Sequence, residues 1–137
     1  MTMTSLLIPA EAGAARAIAI VEDDRAVLHS LTFVLEAEGY VVHAFKTGLQ
    51  ALRSRDIATV QALIIDYGLP DLDGLSLLRG LRSRGVNAAA LLVVSNPTRR
   101  FMEEARRLGA PVIEKPFIGE ALNASLRDLM LQAPAVH

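Results

Sequence analysis

The sequence predicts an α/β fold, a doubly wound five-stranded parallel sheet with five helices. Short apolar runs alternate along the chain with segments whose large apolar side chains recur at helical spacing. The runs are apolar almost throughout, which is typical of strands that are covered on both faces. The chain has 137 residues, and no repeat or linker divides it. One domain with one covered sheet is therefore expected.

The strands are predicted at the apolar runs. The most sharply bounded run is "LII", residues 63–65, which Asp66 follows directly. In chain order, the predicted strands are residues 17–22, 40–45, 63–65, 89–95 and 111–114.

The helices follow from apolar residues three or four positions apart and from residues that start or stop a helix. In chain order, the predicted helices are residues 25–38, 47–55, 73–84, 98–108 and 117–131. The apolar stripes are Leu28, Leu31 and Leu35; Leu75, Leu78 and Leu81; Phe101, Ala105 and Leu108; and Leu122, Leu126 and Leu129. Thr47 is a candidate cap, and the expected helix stops are Gly39, Gly85 and Gly109.

The ends of the chain are expected to lie outside this domain. Residues 1–15 predict a flexible leader, because they hold an apolar patch but no positive charge that would make a signal peptide. Residues 16–131 form the predicted domain, and residues 132–137 a short tail. This tail is far shorter than a second domain of about 50 residues, so the sequence is interpreted as a stand-alone domain.

Composition excludes several classes of function. The net charge is −1, from 14 basic and 15 acidic residues, which argues against nucleic acid or an anionic membrane as the main partner. The chain has no cysteine, and its three histidines, His29, His43 and His137, show no metal-ligand spacing. No apolar run approaches the roughly 20 residues of a membrane span. A cytoplasmic protein is expected.

Polar residues follow four of the five predicted strands. Parallel strands end at one edge of their sheet, where α/β proteins bind ligands. The residues that we expect there are Glu22, Asp23 and Asp24 at the end of the first strand, Asp66 at the end of the third, Ser95 and Asn96 at the end of the fourth, and Lys115 after the fifth. Each could be a cap, a turn residue or a solvated charge if taken alone. Their coincidence at one edge favours a site.

The chemistry of these side chains indicates phosphoryl transfer. Crowded carboxylates repel one another unless a cation offsets them. Oxygen ligands without histidine or cysteine favour Mg²⁺, which binds one or two carboxylates together with a phosphoryl oxygen. Asp66 is a suitable nucleophile, since carboxylates form acyl phosphates. Lys115 could neutralise the transferring oxygens, and Ser95 could hydrogen-bond to one of them.

These motifs together resemble the receiver domain of bacterial two-component response regulators, over roughly residues 16–131. The matching segments are "VEDD", "IIDYGLPDLDGLSLL", the hydroxyl residue that ends the fourth strand, and "GAPVIEKPF". The resemblance implies a CheY-like fold, related to flavodoxin, and a phosphorelay function rather than that of an enzyme with a separate substrate. Such a domain catalyses only its own phosphorylation and dephosphorylation.

The resemblance also implies the role of each residue. Asp66 would be the phosphoacceptor, receiving a phosphoryl group from a histidine kinase or a histidine phosphotransfer protein. Asp24 would bind Mg²⁺ directly and Asp23 largely through water, with Asp66 and the backbone carbonyl of Gly68 as further ligands. Ser95 would be the switch hydroxyl. Lys115 would contact the phosphate, and its bond to Pro116 would be cis.

Two residues depart from the family pattern and bear on how the signal leaves the site. Val112 stands where the family usually has an aromatic residue, and Asn96, followed by Pro97, stands where a small residue is usual. We therefore expect the signal to move residues 96–108 while Val112 stays nearly static. The expected partner surface comprises the helix 98–108, the strand 111–114 and the last helix, for a downstream protein or a homodimer.

Two other functions are alternatives for a site of this kind. A receiver-like module that binds partners without phosphorylation would be expected to lack one of the five side chains Asp23, Asp24, Asp66, Ser95 and Lys115. A phosphohydrolase with an aspartyl-phosphate would need a general acid two residues after Asp66, where the chain has Gly68. A dinucleotide-binding domain is excluded because the first strand runs into acidic residues and not into a glycine-rich turn.

Overall fold

The structure is a computed structural model that describes residues 16–116 and 119–132. Its strands are β1 (Ala17–Val21), β2 (Val41–Phe45), β3 (Ala62–Asp66), β4 (Ala89–Val94) and β5 (Val112–Glu114). Its helices are α1 (Arg25–Ala37), α2 (Gly48–Arg53), α3 (Gly74–Ser83), α4 (Arg99–Arg107) and α5 (Gly119–Gln132). A 3₁₀ helix, Asp56–Thr59, lies between α2 and β3 and was not predicted.

The sheet has five strands in the order β2-β1-β3-β4-β5, and every neighbouring pair is parallel. The predicted doubly wound α/β fold is confirmed. The chain moves outward from β1 to β2 and then crosses back to β3 on the other side of β1. A reversal of this kind opens a crevice at the carboxyl ends of β1 and β3, the usual ligand position in this class of sheet.

Apolar side chains from alternate positions of each strand form two layers. Leu63 and Ile65 of β3 pack toward α2, α3 and α4, whereas Ile64 packs toward α1 and α5. The residues of β3 are all buried, as expected for a central strand covered on both faces.

Capping residues fix where the helices begin and end. The side chains of Asp24, Thr47, Asp73 and Thr98 accept hydrogen bonds from backbone N–H groups in the first turns of α1 to α4. The three glycines predicted to stop helices, Gly39, Gly85 and Gly109, have positive φ angles of 97°, 89° and 69°. Glycine adopts this conformation without steric cost, so the chain can leave each helix there.

Some predictions fall outside the described residues. They are the leader 1–15, the tail beyond Gln132, and residues 117–118 at the start of the predicted last helix. The described part of α5 reaches Gln132, one residue past its predicted end. Among the residues that the structure describes, no helix is long and apolar enough to cross a bilayer.

Candidate functional site: an acidic cavity at the carboxyl edge of the sheet

The ends of four strands meet in one cavity of about 370 Å³. Its lining residues are Glu22, Asp23, Asp24, Asp66, Tyr67, Gly68, Val94, Ser95 and Lys115. The strands carry these residues together because parallel pairing sets β1, β3, β4 and β5 side by side with their carboxyl ends at one edge. Of the residues that the sequence predicted for this edge, all except Asn96 line the same cavity.

Lys115 joins the two buried carboxylates of the cavity. Its Nζ lies 3.3 Å from Oδ1 of Asp66 and 3.3 Å from Oε1 of Glu22. The backbone N–H of Lys115 donates to the carbonyl of Val94, which holds the lysine beside the end of β4. The peptide bond between Lys115 and Pro116 is cis, as the resemblance implied.

Glu22 is the most buried charged side chain of the cavity, with 3% of its surface exposed. Burial raises the pKa of this carboxyl, and the nearby charge of Asp66 raises it further. A hydrogen bond from the backbone N–H of Asp24, 3.0 Å from Oε2, and the Lys115 ammonium oppose the rise without cancelling it. The charged form of Glu22 is therefore destabilised in the folded protein, and an additional cation in the cavity would stabilise it.

The pKa of Lys115 is shifted in the direction that keeps it charged. Burial alone would lower the pKa, but the negative charges of Asp66 and Glu22 outweigh it and raise the pKa above its ordinary value. The lysine is therefore a permanent cation beside Asp66 at neutral pH.

Three of the carboxylates that line the cavity lie close together, and that of Asp24 is not among them. Glu22, Asp23 and Asp66 each offer a carboxylate oxygen, and these oxygens lie within 4.8 Å of one another. Asp24 lies at the edge of the cavity, where its Oδ1 accepts hydrogen bonds from the N–H groups of Ala26 at 2.9 Å and Val27 at 3.1 Å. The carboxylate of Asp24 thus caps α1, while Glu22 joins Asp23 and Asp66 in the cluster of carboxylate oxygens, and the ligand role of Asp24 stays a prediction.

A signal for this difference was present in the sequence. Aspartate directly before the first residue of a helix is a preferred N-cap, and the predicted helix already began at residue 25. The predicted first strand ended one residue too late, at Glu22, whereas β1 ends at Val21. Glu22 is the first residue beyond the strand, and its side chain enters the cavity.

The segment between β4 and α4 brings a hydroxyl to the cavity. Ser95 lines it directly after the last residue of β4. Asn96 follows with a φ of 50°, in the left-handed region that asparagine adopts more readily than most residues. Thr98 then caps α4 by accepting a hydrogen bond from the N–H of Phe101.

Tyr67 is a residue of the site that the sequence reasoning missed. It follows Asp66, lines the cavity, and packs edge-on against Phe101 of α4, with ring centroids 4.8 Å apart and an interplanar angle of 69°. The pair places an aromatic contact between the end of β3 and α4. No short-range pattern reveals this contact, since the two residues are far apart in the sequence.

The chain matches one protein family along most of its length. The family model for the response regulator receiver domain matches residues 18–127. The transcriptional regulatory protein BasR of Escherichia coli is 32% identical over 114 residues, which cover 82% of this chain and 51% of that protein. The transcriptional regulatory protein FixJ of Azorhizobium caulinodans is 31% identical over 109 residues, 79% of this chain and 52% of that protein. The chain thus spans about half the length of these relatives.

Solved structures agree with the fold. A response regulator receiver domain protein, CheY-like, from Methanospirillum hungatei superposes with a TM-score of 0.77 at 25% identity, covering 87% of this chain and 96% of that one. The structure of FixJ-N superposes with a TM-score of 0.76 at 26% identity, covering 88% of this chain and 98% of that one.

Proposed function

The chain belongs to the response regulator receiver domain family of two-component systems, and we propose that it accepts a phosphoryl group on Asp66. The donor would be the phosphohistidine of a histidine kinase or of a histidine phosphotransfer protein. Receiver domains are signalling domains and not classical enzymes. The only catalysis that we propose is the phosphorylation and dephosphorylation of Asp66 itself.

The observation that carries this proposal is the position of Lys115 between Asp66 and Glu22. The lysine holds the carboxylate of Asp66 by an ion pair at the end of a central strand, in a cavity open to a donor. A carboxylate oxygen of Asp66 would attack phosphorus as the bond from phosphorus to the histidine nitrogen breaks, giving an acyl phosphate and a free imidazole. Lys115 would then offset negative charge on the phosphoryl oxygens, and Ser95 would donate a hydrogen bond to one of them.

The donor set fits Mg²⁺. The carboxylates of Glu22, Asp23 and Asp66 and the backbone carbonyl of Gly68 would supply oxygen ligands, which a hard divalent cation prefers. The raised pKa of Glu22 supports the fit, because a cation would relieve the crowding that causes it. When bound, Mg²⁺ would supply charge neutralisation for phosphoryl transfer. Asp24, the predicted direct ligand, is here assigned to the cap of α1.

Incubation with Mg²⁺ and acetyl phosphate tests the phosphoacceptor. The wild-type chain should gain a single phosphoryl group that is stable to acid and labile to base, detected by intact mass. Asp66→Ala should abolish labelling, and Asp56→Ala, an exposed carboxylate of the 3₁₀ helix, should leave it unchanged. Labelling retained in Asp66→Ala would contradict the proposal. An unlabelled wild type would favour the alternative of a receiver-like module that binds partners without phosphorylation.

The proposed partner surface comprises α4, β5 and α5. A groove of about 570 Å³ runs between α4 and β5 and includes the half-exposed side chain of Met102. Arg99, Glu103 and Arg106 line the same groove, and α4 as a whole has four arginines against two glutamates. Glu104 is already paired with Arg79 of α3. The surface therefore favours a downstream protein that inserts an apolar side chain into the groove and surrounds it with acidic side chains.

A cytoplasmic location for the protein likewise stays a prediction.

A further inference from the structure

The loop between β3 and α3 is tied at its tip to a helix outside the cavity. Oδ1 of Asp71 accepts hydrogen bonds from the N–H of Gly48 at 3.0 Å and of Leu72 at 3.1 Å, and Oδ2 accepts from the N–H of Leu49 at 2.8 Å. Burial would raise the pKa of Asp71, but these backbone bonds outweigh it and lower the pKa. The carboxylate thus caps the start of α2 from a loop 23 residues away in sequence.

A packing contact accompanies these hydrogen bonds. Gly48 is buried beneath Leu72, and a Cβ placed on Gly48 would lie only 2.9 Å from Cγ of Leu72. The side chain of Leu72 therefore rests directly on the first residue of α2. Asp71 and Leu72 attach the loop to the same helix end, one by polar and the other by apolar contact.

The other part of the loop forms a wall of the cavity. Tyr67 and Gly68 line the cavity, and the N–H of Tyr67 donates to the carbonyl of Val93 at 2.8 Å. The loop closes where the N–H of Gly74 donates to the carbonyl of Tyr67 at 3.0 Å. A Cβ on Gly74 would meet the carbonyl oxygen of Asp66 at 2.9 Å, so the start of α3 is packed against the end of β3.

We propose that Asp71 is a positioning residue for phosphoryl acceptance, holding the loop 67–73 against α2 so that Gly68 stays at the cavity wall. Asp71 does not line the cavity, and its action would pass through the backbone of the loop. Without this attachment, the loop would sample more conformations, and Mg²⁺ would have to order it on binding. This inference rests on the proposed function, because it concerns the same metal and the same acceptor.

The test compares Asp71 with a second cap of the same helix. Thr47 accepts a hydrogen bond from the N–H of Gln50 at 3.1 Å, so Thr47→Ala also removes a cap from α2 but leaves the loop attached. Asp71→Ala, Asp71→Asn and Thr47→Ala would each be titrated with Mg²⁺ alone, followed by Tyr67 fluorescence in a Tyr40→Phe background. The rate of labelling by acetyl phosphate and the urea unfolding midpoint would be measured for each.

The variants of Asp71 and Thr47 should differ in their effect on Mg²⁺ binding and labelling. Asp71→Ala should weaken Mg²⁺ affinity and slow labelling by about tenfold, the factor that corresponds to one lost ordering contact. Asp71→Asn should fall between Asp71→Ala and wild type, since its single amide oxygen can still accept from Gly48. Thr47→Ala should lower the unfolding midpoint but keep Mg²⁺ affinity and labelling within about twofold of wild type.

Two results would overturn the positioning role. One is an Asp71→Ala variant that binds Mg²⁺ as tightly as wild type. The other is a Thr47→Ala variant that weakens Mg²⁺ binding as much as Asp71→Ala does, because the effect would then come from the stability of α2. A failure of the proposed function is distinct from both, since it would show as a wild-type chain that acetyl phosphate does not label.

Discussion

Three consecutive acidic residues after β1 have three different environments. Glu22 is buried beside Lys115, Asp23 is exposed at the cavity, and Asp24 caps α1. Each environment follows from where the strand stops and the helix starts. A charge change at each position should therefore alter a different property of the protein.

Metal affinity should depend on Glu22 more than on Asp24. Glu22→Gln removes a charged oxygen that lies within 4.8 Å of oxygens of Asp23 and Asp66, so Mg²⁺ affinity should fall by at least about tenfold. Asp24→Asn keeps a preferred N-cap and should leave affinity close to wild type. Calorimetric titration with Mg²⁺ measures both. A larger loss in Asp24→Asn would restore the ligand role that the sequence predicted for it.

Glu22→Gln should stabilise the metal-free protein, although the same change should weaken Mg²⁺ binding. The pKa of Glu22 is raised in the folded state, so its ionisation opposes folding. This penalty is absent below the ordinary pKa of 4.5 and is complete once the pH exceeds the raised value. Glu22→Gln should therefore raise the urea midpoint at pH 7.5, and the gain should vanish as the pH falls toward 4.5.

The exposed Glu36 of α1 provides the matched control. Glu36→Gln makes the same change of charge away from the cavity. It should not produce a gain in urea midpoint that is present at pH 7.5 and vanishes as the pH falls toward 4.5. If the gain of Glu22→Gln is unchanged at low pH, the burial and repulsion assigned to Glu22 are not its cause.

At the scale of single residues, the sequence predicted the site residues whose position depends only on where a strand ends. Asp66, Ser95 and Lys115 each follow an apolar run, and parallel pairing brings them to one edge. Which of Glu22 and Asp24 enters the cavity depends on a shift of one residue between strand and helix. Sequence patterns locate such boundaries only to within a few residues. The partners of Tyr67 and Asp71 depend on tertiary contacts, which no local pattern contains.

Among the elements, α4 connects the cavity with the proposed partner surface. The segment from Ser95 to Thr98 leads from the cavity directly into α4. Phe101 of α4 contacts Tyr67, which follows Asp66. Val112 of β5, where the family usually has an aromatic residue, is half-buried and packs against the cluster beneath α2, α3 and α4. A β-branched side chain has few χ1 options and no ring to rotate.

We predict that phosphorylation moves residues 96–108 and leaves Val112 nearly static. The phosphoryl contact with Ser95 would supply the difference in affinity between the two conformations, and Pro97 would stiffen the link to α4. Backbone amide shifts with and without beryllofluoride, a phosphoryl mimic, measure this displacement. Ser95→Ala should remove most of the shift changes in residues 96–108. Unchanged shifts in that variant would contradict this route.

The boundaries of the elements follow local chemistry, and most were predictable for that reason. The helix stops at Gly39, Gly85 and Gly109 and the cap at Thr47 are where the sequence placed them. The 3₁₀ helix Asp56–Thr59 was missed because four residues are too few to show a period. Its one buried side chain, Ile57, fits a loop as well as a helix.

The whole molecule has two apolar layers on one sheet, and they should unfold together. Leu63 belongs to the layer of α2, α3 and α4, and Ile64 to that of α1 and α5, although they are neighbours in β3. Leu63→Ala and Ile64→Ala should each cost about 2–5 kcal/mol. Each variant should still show a single transition in urea, with near-coincident curves by circular dichroism and tyrosine fluorescence. Separate transitions would mean that the two layers are independent.

The charge of α4 bears on what binds the molecule as a whole. An isologous dimer through the groove between α4 and β5 would bring together two helices that each have four arginines and two glutamates. One of those glutamates, Glu104, is already paired with Arg79 of the same chain. Like charges that face each other at short range oppose association.

We therefore expect the protein to be monomeric both with and without phosphorylation. Sedimentation velocity in Mg²⁺, before and after addition of beryllofluoride, measures this at low salt, where repulsion between the helices is least screened. A dimer that forms only with beryllofluoride, and that Met102→Glu abolishes by placing a charge in the groove, would assign the groove to a second copy of the chain. A monomer in both states leaves the arginines of α4 free for the acidic partner proposed above.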